Sequence, residues 1–438
     1  MTPYVLVSRV RRKKYLPNIR ERLGLKFAAQ VSANGEGFSP TIWLHAVSVG
    51  EVLAAVPFAR RLKERFPTSR LVISTTTSTG QALARERMHF AEAVFYFPFD
   101  WNGPVRRVFR AVRPDMLIIL ETEIWPNVLR HARNSRVPVV FVNGRLSDRS
   151  FRGFTRAAKM SGGLLGAFLR RILNDGTLYL MQTPQDASRL IVLGAASDRV
   201  MVTGSMKYDM PEPAPNAFVD WLAAELQRSR RSPVLVAGSV IAGEEPAVLE
   251  GFRSIQQEWP QALLIVAPRK PEQFLAAAEM LRQAGWRLVR RSDISIDGLS
   301  AGILHDTDLL PKSVLLLDTI GELAALYGLA DVVFVGGSLQ PPGGGHNPLE
   351  PAAYGKVPIF GPSMQNFRQI ATSLLEADAA IEVNSGAQLA AAWERLLKQD
   401  AARAEMGSAA RAIVERNRGA TAATLDHVTR LIEQRARA

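Results

Sequence analysis

The sequence predicts an α/β protein made of two doubly wound, parallel-sheet domains facing each other across a cleft. Three observations carry this expectation. Short β-rich runs alternate with longer helical patterns along the whole chain, as in a parallel sheet flanked by helices. The 438 residues are long for one domain and suit two of about 200 each. A proline-rich stretch, Met210-Pro-Glu-Pro-Ala-Pro-Asn216, reads as a linker between halves. The predicted boundaries are an N-terminal domain over 1–208, a linker region over 209–232 and a C-terminal domain over 233–438.

In the first half, strands are predicted at Thr41–Val47, Arg70–Thr75, Ala93–Phe97, Asp115–Leu120, Pro138–Val142 and Leu178–Gln182. Helical patterns such as Glu51–Arg65 and Gly80–Met88 lie between them. The second half repeats the scheme at Pro233–Ala237, Ala262–Val266, Ser313–Leu317, Asp331–Val335 and Val357–Phe360. Residues 151–173 fit less simply. There Phe151, Phe154, Leu164, Leu165, Phe168 and Leu169 alternate with Arg152, Arg156, Lys159, Arg170 and Arg171. An apolar face with a basic rim suits either a core-facing helix or one lying on a lipid surface.

Composition removes several classes. A chain 47% hydrophobic and 22% charged is neither disordered nor collagen-like, and without cysteine it holds no disulfide, Fe–S cluster or redox dithiol. Its 54 Lys and Arg against 41 Asp and Glu give +13, which favours an anionic partner: nucleic acid, a phosphorylated substrate or an acidic membrane face. No run approaches the roughly 20 apolar residues that span a bilayer. The N-terminus turns basic at Arg9, Arg11, Arg12, Lys13 and Lys14 without the features of a signal peptide. The expectation is a protein kept in the cytoplasm whose basic head can lie on anionic lipid.

Four motifs fall at predicted strand ends. His45-Ala-Val-Ser-Val-Gly-Glu51 runs from strand through turn to helix, where a carboxylate can act as general base. Ser48-x-x-Glu51 is equally a capping box, and the two roles can coexist. Glu121-Thr-Glu123-Ile-Trp-Pro-Asn127 sets two carboxylates beside a tryptophan, either as a ligand site or as a solvated loop before a helix. Ala267-Pro-Arg-Lys-Pro-Glu272 points two cations at a sheet edge, where Arg269 suits a phosphate oxygen or the segment is a solvated loop. Phe334-Val-Gly-Gly-Ser-Leu339 followed by Gly343-Gly-Gly-His-Asn-Pro-Leu-Glu-Pro351 predicts a glycine-rich loop whose N–H groups cradle phosphate, with Glu350 free to bind ribose hydroxyls. Asn347, Pro348 and Glu350 would also serve as N-cap, N1 and N3 of a helix.

There is no Walker loop, no GxGxxG and no zinc-type histidine spacing. Asp306-Thr-Asp308 precedes its strand and reads as a solvated loop, so no divalent metal is expected. Basic residues are seldom interleaved with aromatics outside 151–173, and nucleic-acid binding has little beyond net charge behind it.

Taken in order, these pieces resemble the Kdo transferases, which attach 3-deoxy-D-manno-octulosonic acid to lipid A precursor in Gram-negative bacteria. The resemblance begins with Lys13-Lys14-Tyr15 through Glu21-Arg-Leu-Gly24 and continues with the His45–Glu51 and Glu121–Pro126 motifs. Asn143-Gly-Arg-Leu-Ser147, Gly204-Ser-Met-Lys-Tyr-Asp209 and Ala267-Pro-Arg-Lys-Pro271 follow. Asp318-Thr-Ile-Gly-Glu-Leu323, Gly345-His-Asn-Pro-Leu-Glu-Pro351 and Gly361-Pro-Ser-Met-Gln-Asn-Phe367 complete the set, which spans both halves.

The resemblance implies a GT-B glycosyltransferase with two Rossmann-like domains, acceptor site in the first and donor nucleotide in the second. The donor would be CMP-Kdo and the acceptor the lipid A precursor, lipid IVA. Glu51 matches the family's proposed base, and Glu123 lies in its second acidic motif, also expected to be catalytic. Ser48, Gly50, Arg145 and Lys207 fall in motifs expected around the acceptor. Pro268, Arg269, Gly337, Ser338, Asn347 and Glu350 fall in those expected around CMP. The implied reaction is an inverting displacement without metal or cofactor, with CMP leaving as Arg269 and the glycine-rich loop hold its phosphate.

The implied place is the cytoplasmic face of the inner membrane, peripherally or with a missing N-terminal anchor, since the family usually begins with an apolar anchor and this sequence starts close to the basic segment that follows it. Two family histidines are replaced, one after Ala237-Gly-Ser239 and one by Ser363. Two alternatives stand beside this expectation. One is another GT-B nucleotide-sugar enzyme, a UDP-sugar transferase or epimerase. The other is a non-catalytic basic protein that binds membrane or nucleic acid.

Overall fold

The computed structural model describes residues 18–25, 40–210, 215–294, 309, 311–341 and 343–437. The basic head from Arg9 to Tyr15, the prolines of the linker at 211–214 and Asp306-Thr-Asp308 lie outside the described residues. The chain forms two compact units, Met1–Met210 with Asn417–Ala438, and Pro211–Arg416.

The first unit holds seven parallel strands: β1 Thr41–His45, β2 Arg70–Thr75, β3 Ala93–Tyr96, β4 Met116–Leu120, β5 Val139–Gly144, β6 Leu178–Met181 and β7 Val200–Val202. Their order is β3-β2-β1-β4-β5-β6-β7, so the winding reverses between the neighbours β1 and β4. Both faces are covered, which is why β1 and β4 are buried along their whole length and carry continuous apolar runs, Ile42–Leu44 and Met116–Leu120, and not an alternation. One face packs Trp43 against Phe95, Phe97 and Phe109. The other packs Ile42, Leu44 and Ile73 against Phe58 and Leu62 of helix Val49–Arg65.

That second layer also contains Val428 and Ile432 of the C-terminal helix Ala420–Arg437. The expected domain 233–438 is corrected at its end: residues from Asn417 onward return to the first unit. Apolar burial is joined there by a cap, since the Asp209 carboxylate accepts the N–H groups of Gly419 and Thr421 at the helix start.

The second unit repeats the plan with β8 Val234–Val240, β9 Leu263–Pro268, β10 Arg287–Arg290, β11 Ser313–Leu316, β12 Val332–Val335, β13 Pro358–Phe360 and β14 Ile381–Glu382. The order is β10-β11-β9-β8-β12-β13-β14, again parallel, with the reversal between β8 and β12. Its core gathers Leu235, Phe252, Phe334 and Trp393.

Every strand expected from the sequence forms within a few residues of its predicted bounds. Three more, β7, β10 and β14, were not expected, and each is a sheet edge. None of the three carries a long apolar run, as Arg287-Leu-Val-Arg290 illustrates, so the pattern resembles a loop, whereas the edge strand β3 has one and was expected.

Candidate active site

In an open parallel sheet, ligands bind beyond the strands' carboxyl ends, where the winding reverses. In the first unit that place lies between the loops following β1 and β4, which carry Glu51 and the Glu121–Glu123 motif.

Ser48 is the N-cap of helix Val49–Arg65, but it makes no side-chain cap bond. Its hydroxyl instead donates to Glu51 Oε1 at 2.9 Å, while the Val47 N–H donates to Oε2 at 2.7 Å. The reciprocal capping box is therefore not formed. The carboxyl group folds back under the turn and is only 8% exposed. Burial first, then the nearby Glu121 and Glu123 charges, push its pKa up to about 8, against the pull of the Val47 and Ser48 hydrogen bonds. A Cβ added at Gly50 would meet no described atom within 4 Å, so the turn beside Glu51 presents bare backbone.

The acidic motif after β4 is held from two sides. Asp100 accepts the N–H groups of Asn127 and Val128 at 3.2 and 2.9 Å, capping helix Pro126–Asn134 from another loop. Thr122 Oγ1 donates to the Arg145 carbonyl at 2.6 Å and accepts the Arg145 N–H at 3.0 Å, tying this loop to the one after β5. Glu121 sits at φ 56° and Asn143 at φ 54°, left-handed conformations that cost a non-glycine residue free energy. Asn143 is fully buried and accepts the Met206 N–H through Oδ1 at 3.1 Å, which fixes the segment carrying Lys207.

Arg145 Nε lies 3.8 Å from Glu121 Oε2. Lys207 is half-buried; burial lowers its pKa, the Glu121 and Glu51 charges raise it and Arg145 lowers it. The structure thus brings Ser48, Gly50, Glu51, Glu121, Glu123, Arg145 and Lys207 to one edge of the first sheet. Asp100, Thr122 and Asn143 escaped the sequence reading as supports of that edge. Of these Thr122 and Asn143 carried a signal, as members of the Glu121–Asn127 and Asn143–Ser147 motifs, and Asp100 carried none. His45 is a core group: it stacks on Phe97 at 3.8 Å, Nδ1 meets Ser74, and burial lowers its pKa to about 3.

In the second unit the equivalent place lies between the loops after β8 and β12. The glycine-rich loop differs from the expected phosphate cradle. The N–H groups of Gly337, Ser338 and Leu339 all donate to the carboxylate of Glu244, at 2.6, 2.8 and 2.9 Å. The Gly345 N–H donates to the Gly337 carbonyl and that of Gly344 to Ser363 Oγ. Ser338 is fully buried, its hydroxyl donating to the Val335 carbonyl and accepting the Gly361 N–H.

Close packing explains one of these glycines directly: a Cβ at Gly336 would stand 2.7 Å from the Ser239 carbonyl oxygen. The amides of Gly337 and Ser338, expected to hold phosphate, are thus engaged by a protein carboxylate. Sequence reading missed Glu244. Its only signal was a glutamate pair opening a helix.

Around this loop, Arg269 is exposed just past Pro268 at the end of β9. Its charge lowers the pKa values of both His346 and Glu350. Burial dominates each, taking His346 down to about 4 and raising Glu350. Asn347 Oδ1 accepts the Leu349 N–H at 3.1 Å, and its amide donates to Glu350 at 3.3 Å. The helix Leu349–Ala353 starts one residue later than expected, with Pro348 as N-cap.

Helices Asp148–Met160 and Leu164–Leu173 divide the two readings of residues 151–173. Leu169, Ile172 and Leu173 are buried, and Phe151 and Phe154 are half-buried against the core. Met160, Leu164 and Phe168 are 82%, 77% and 48% exposed beside exposed Arg152, Arg156, Lys159, Arg170 and Arg171. Among the described residues no helix is long and apolar enough to cross a membrane.

Residues 17–210 match the family described as 3-Deoxy-D-manno-octulosonic-acid transferase (kdotransferase). A 3-deoxy-D-manno-octulosonic acid transferase of Haemophilus influenzae is 32% identical over 425 residues, covering 95% of this chain and 93% of its own. The protein of that name from Bordetella pertussis is 35% identical over 399 residues, 88% of this chain and 86% of its own. In fold, a solved glycosyltransferase from Rickettsia africae superposes with TM-score 0.52 at 12% identity, covering 91% of this chain and 98% of its own. Two Rossmann-like units of this kind make up the GT-B fold. With identity at this level sustained through both units, the chain belongs to the 3-deoxy-D-manno-octulosonic acid (Kdo) transferases.

Proposed function

We propose that this enzyme moves Kdo from CMP-Kdo to a hydroxyl of the lipid A precursor, lipid IVA, by an inverting displacement that needs no metal. The observation that carries the reading is Glu51. It is a buried carboxyl, held by the Val47 N–H and the Ser48 hydroxyl, with its pKa raised to about 8. A general base works best when its pKa lies near the working pH, because it must be ionised and still hold a proton firmly. Ionised Glu51 takes the acceptor hydroxyl's proton as that oxygen attacks the anomeric carbon of Kdo. The C–O bond to the phosphate of CMP breaks on the opposite face. Arg145 and Lys207 suit an anionic acceptor, and the bare backbone at Gly50 permits close approach. Glu123 adds negative charge beside the developing oxocarbenium-like centre.

On the donor side, Arg269 carries the leaving phosphate, Asn347 and Glu350 meet the nucleoside, and Pro268 shapes the wall. The engaged amides of Gly337 and Ser338 act on the donor through the shape of their turn. The first unit is read as the acceptor unit and the second as the donor unit. The exposed Met160, Leu164 and Phe168 with their arginine rim support peripheral binding to the anionic, cytoplasmic face of the inner membrane. Incubation with CMP-Kdo and lipid IVA, followed by mass spectrometry of the lipid, should show Kdo added and CMP released in the presence of EDTA. An unchanged lipid, or transfer from a UDP-sugar instead, would overturn the reading. Flotation should favour anionic over neutral vesicles at low salt, and equal flotation would remove the membrane part.

A further inference from the structure

Glu244 is an acidic residue inside a unit expected to bind an anion, and it is 1% exposed. Its Oε1 accepts the N–H groups of Ser338 and Leu339 at 2.8 and 2.9 Å. Its Oε2 accepts those of Gly337 and Ile241 at 2.6 and 3.1 Å. Four backbone donors use the four acceptor positions of a carboxylate, leaving none for a ligand. Three of those donors are consecutive and begin at Gly337, whose φ of 68° turns the chain around the carboxylate. This is the geometry of a backbone nest for an anion. Here the anion comes from the protein itself, 93 to 95 residues earlier in the chain.

The turn is connected onward. The Gly337 carbonyl accepts the Gly345 N–H at 2.7 Å, and the His346 ring lies so close that a Cβ at Gly337 would stand 2.6 Å from its Cδ2. Asn347 and Glu350 follow directly, joined by their own hydrogen bond. Glu244 therefore sets Gly337, Gly337 sets Gly345 and His346, and these set the segment read above as the nucleoside contact.

We propose that Glu244 is a positioning residue for donor binding: it is the built-in anion around which the turn 336–339 folds, and the donor site is shaped only while that carboxylate is in place. The proposal rests on the reading of the second unit as the donor unit.

The test uses the whole chain and CMP. Glu244→Gln replaces one acceptor oxygen by an NH2 group facing backbone donors, and Glu244→Ala empties the nest. Each should weaken CMP binding in calorimetry by about 10-fold or more, since charge-assisted hydrogen bonds are lost. In Glu244→Ala, added acetate should restore part of the affinity by entering the emptied nest, and chloride at equal ionic strength should not. Amide exchange at 336–345 should speed up in both variants and slow again with acetate in Glu244→Ala. A merely structural role would lower the melting temperature without acetate rescue.

If Glu244→Ala does not fold, Glu244→Gln alone decides. Wild-type CMP affinity in the glutamine variant would overturn the proposal, as would lost affinity in a folded alanine variant that acetate leaves unchanged. Failure of the wild-type chain to bind CMP would remove the donor reading, and this role with it.

Discussion

Glu51 and Glu244 occupy the same place in two copies of one fold. Each follows the strand, β1 or β8, that flanks its sheet's winding reversal, and each is at most 8% exposed. Their surroundings are opposite. Across the reversal from Glu51, the loop after β4 offers Glu121 and Glu123, and the Glu51 carboxyl is left with one backbone N–H and one hydroxyl. Across the reversal from Glu244, the loop after β12 offers three backbone N–H groups, which with Ile241 use all four acceptor positions. Position in the fold brings a carboxylate to the sheet edge. What the neighbouring loop presents decides whether it can exchange a proton or only hold structure. A buried acid with like charges nearby is poised for chemistry, whereas one saturated by amides is a scaffold.

Replacing Glu51 tests this contrast hardest. Glu51→Gln should lower transfer by about 100-fold or more, the scale of general-base catalysis, while CMP affinity stays near wild type in calorimetry. The same group predicts a pH dependence of stability. Burial lifts its pKa from the usual 4.5 to about 8, so the folded chain binds this proton more tightly than the unfolded chain. The resulting stabilisation is present below pH 4.5 and is lost as pH rises through 8. Melting curves should therefore show Glu51→Gln gaining on wild type as pH rises from 4.5 to about 8, with no further gain above it. Near-normal turnover in this variant would place the base elsewhere, at Glu121 or Glu123.

Arg269 tests the other half of the contrast. If the amides of the turn are committed to Glu244, the donor phosphate depends on a side-chain cation. Loss of a charge-assisted hydrogen bond of about 1.5–3 kcal/mol corresponds to about 10- to 150-fold weaker CMP binding in Arg269→Ala, read by calorimetry. Unchanged affinity would return the phosphate to the backbone.

Removing one like charge should sharpen the Glu51 result. Glu121→Gln takes away the second-largest cause of its raised pKa, so the rising limb of the pH–rate profile should move to lower pH. It should remain above the ordinary carboxylate range, because burial is the largest cause. An unshifted limb would separate Glu121 from Glu51. The smallest effect is expected at Asp100. Asp100→Ala deprives helix Pro126–Asn134 of its cap, at a cost of about 1 kcal/mol and a fall of about 2–4 °C in melting temperature for a unit of this size. Activity should fall only as far as the Glu121–Glu123 loop loosens.

What the sequence determined by itself is the buried framework. Strands covered on both faces carry near-continuous apolar runs, and helices between them must be amphipathic, so eleven of the strands are written as local patterns that no tertiary contact needs to explain. The strand-end motifs were legible for the same reason: Glu51, Glu121, Glu123 and Arg269 stand at fixed offsets from apolar runs. Tertiary structure alone decided the rest. The edge strands β7, β10 and β14 exist because a neighbouring strand offers them a ladder. The final helix joins the first unit because Val428 and Ile432 find apolar surface there and Asp209 caps its first turn. The glycine-rich loop carries donors in any reading of its sequence, but their acceptor lies more than 90 residues away at Glu244. A hydrogen-bond donor is visible in one residue, whereas the partner that satisfies it depends on what folding brings within 3 Å.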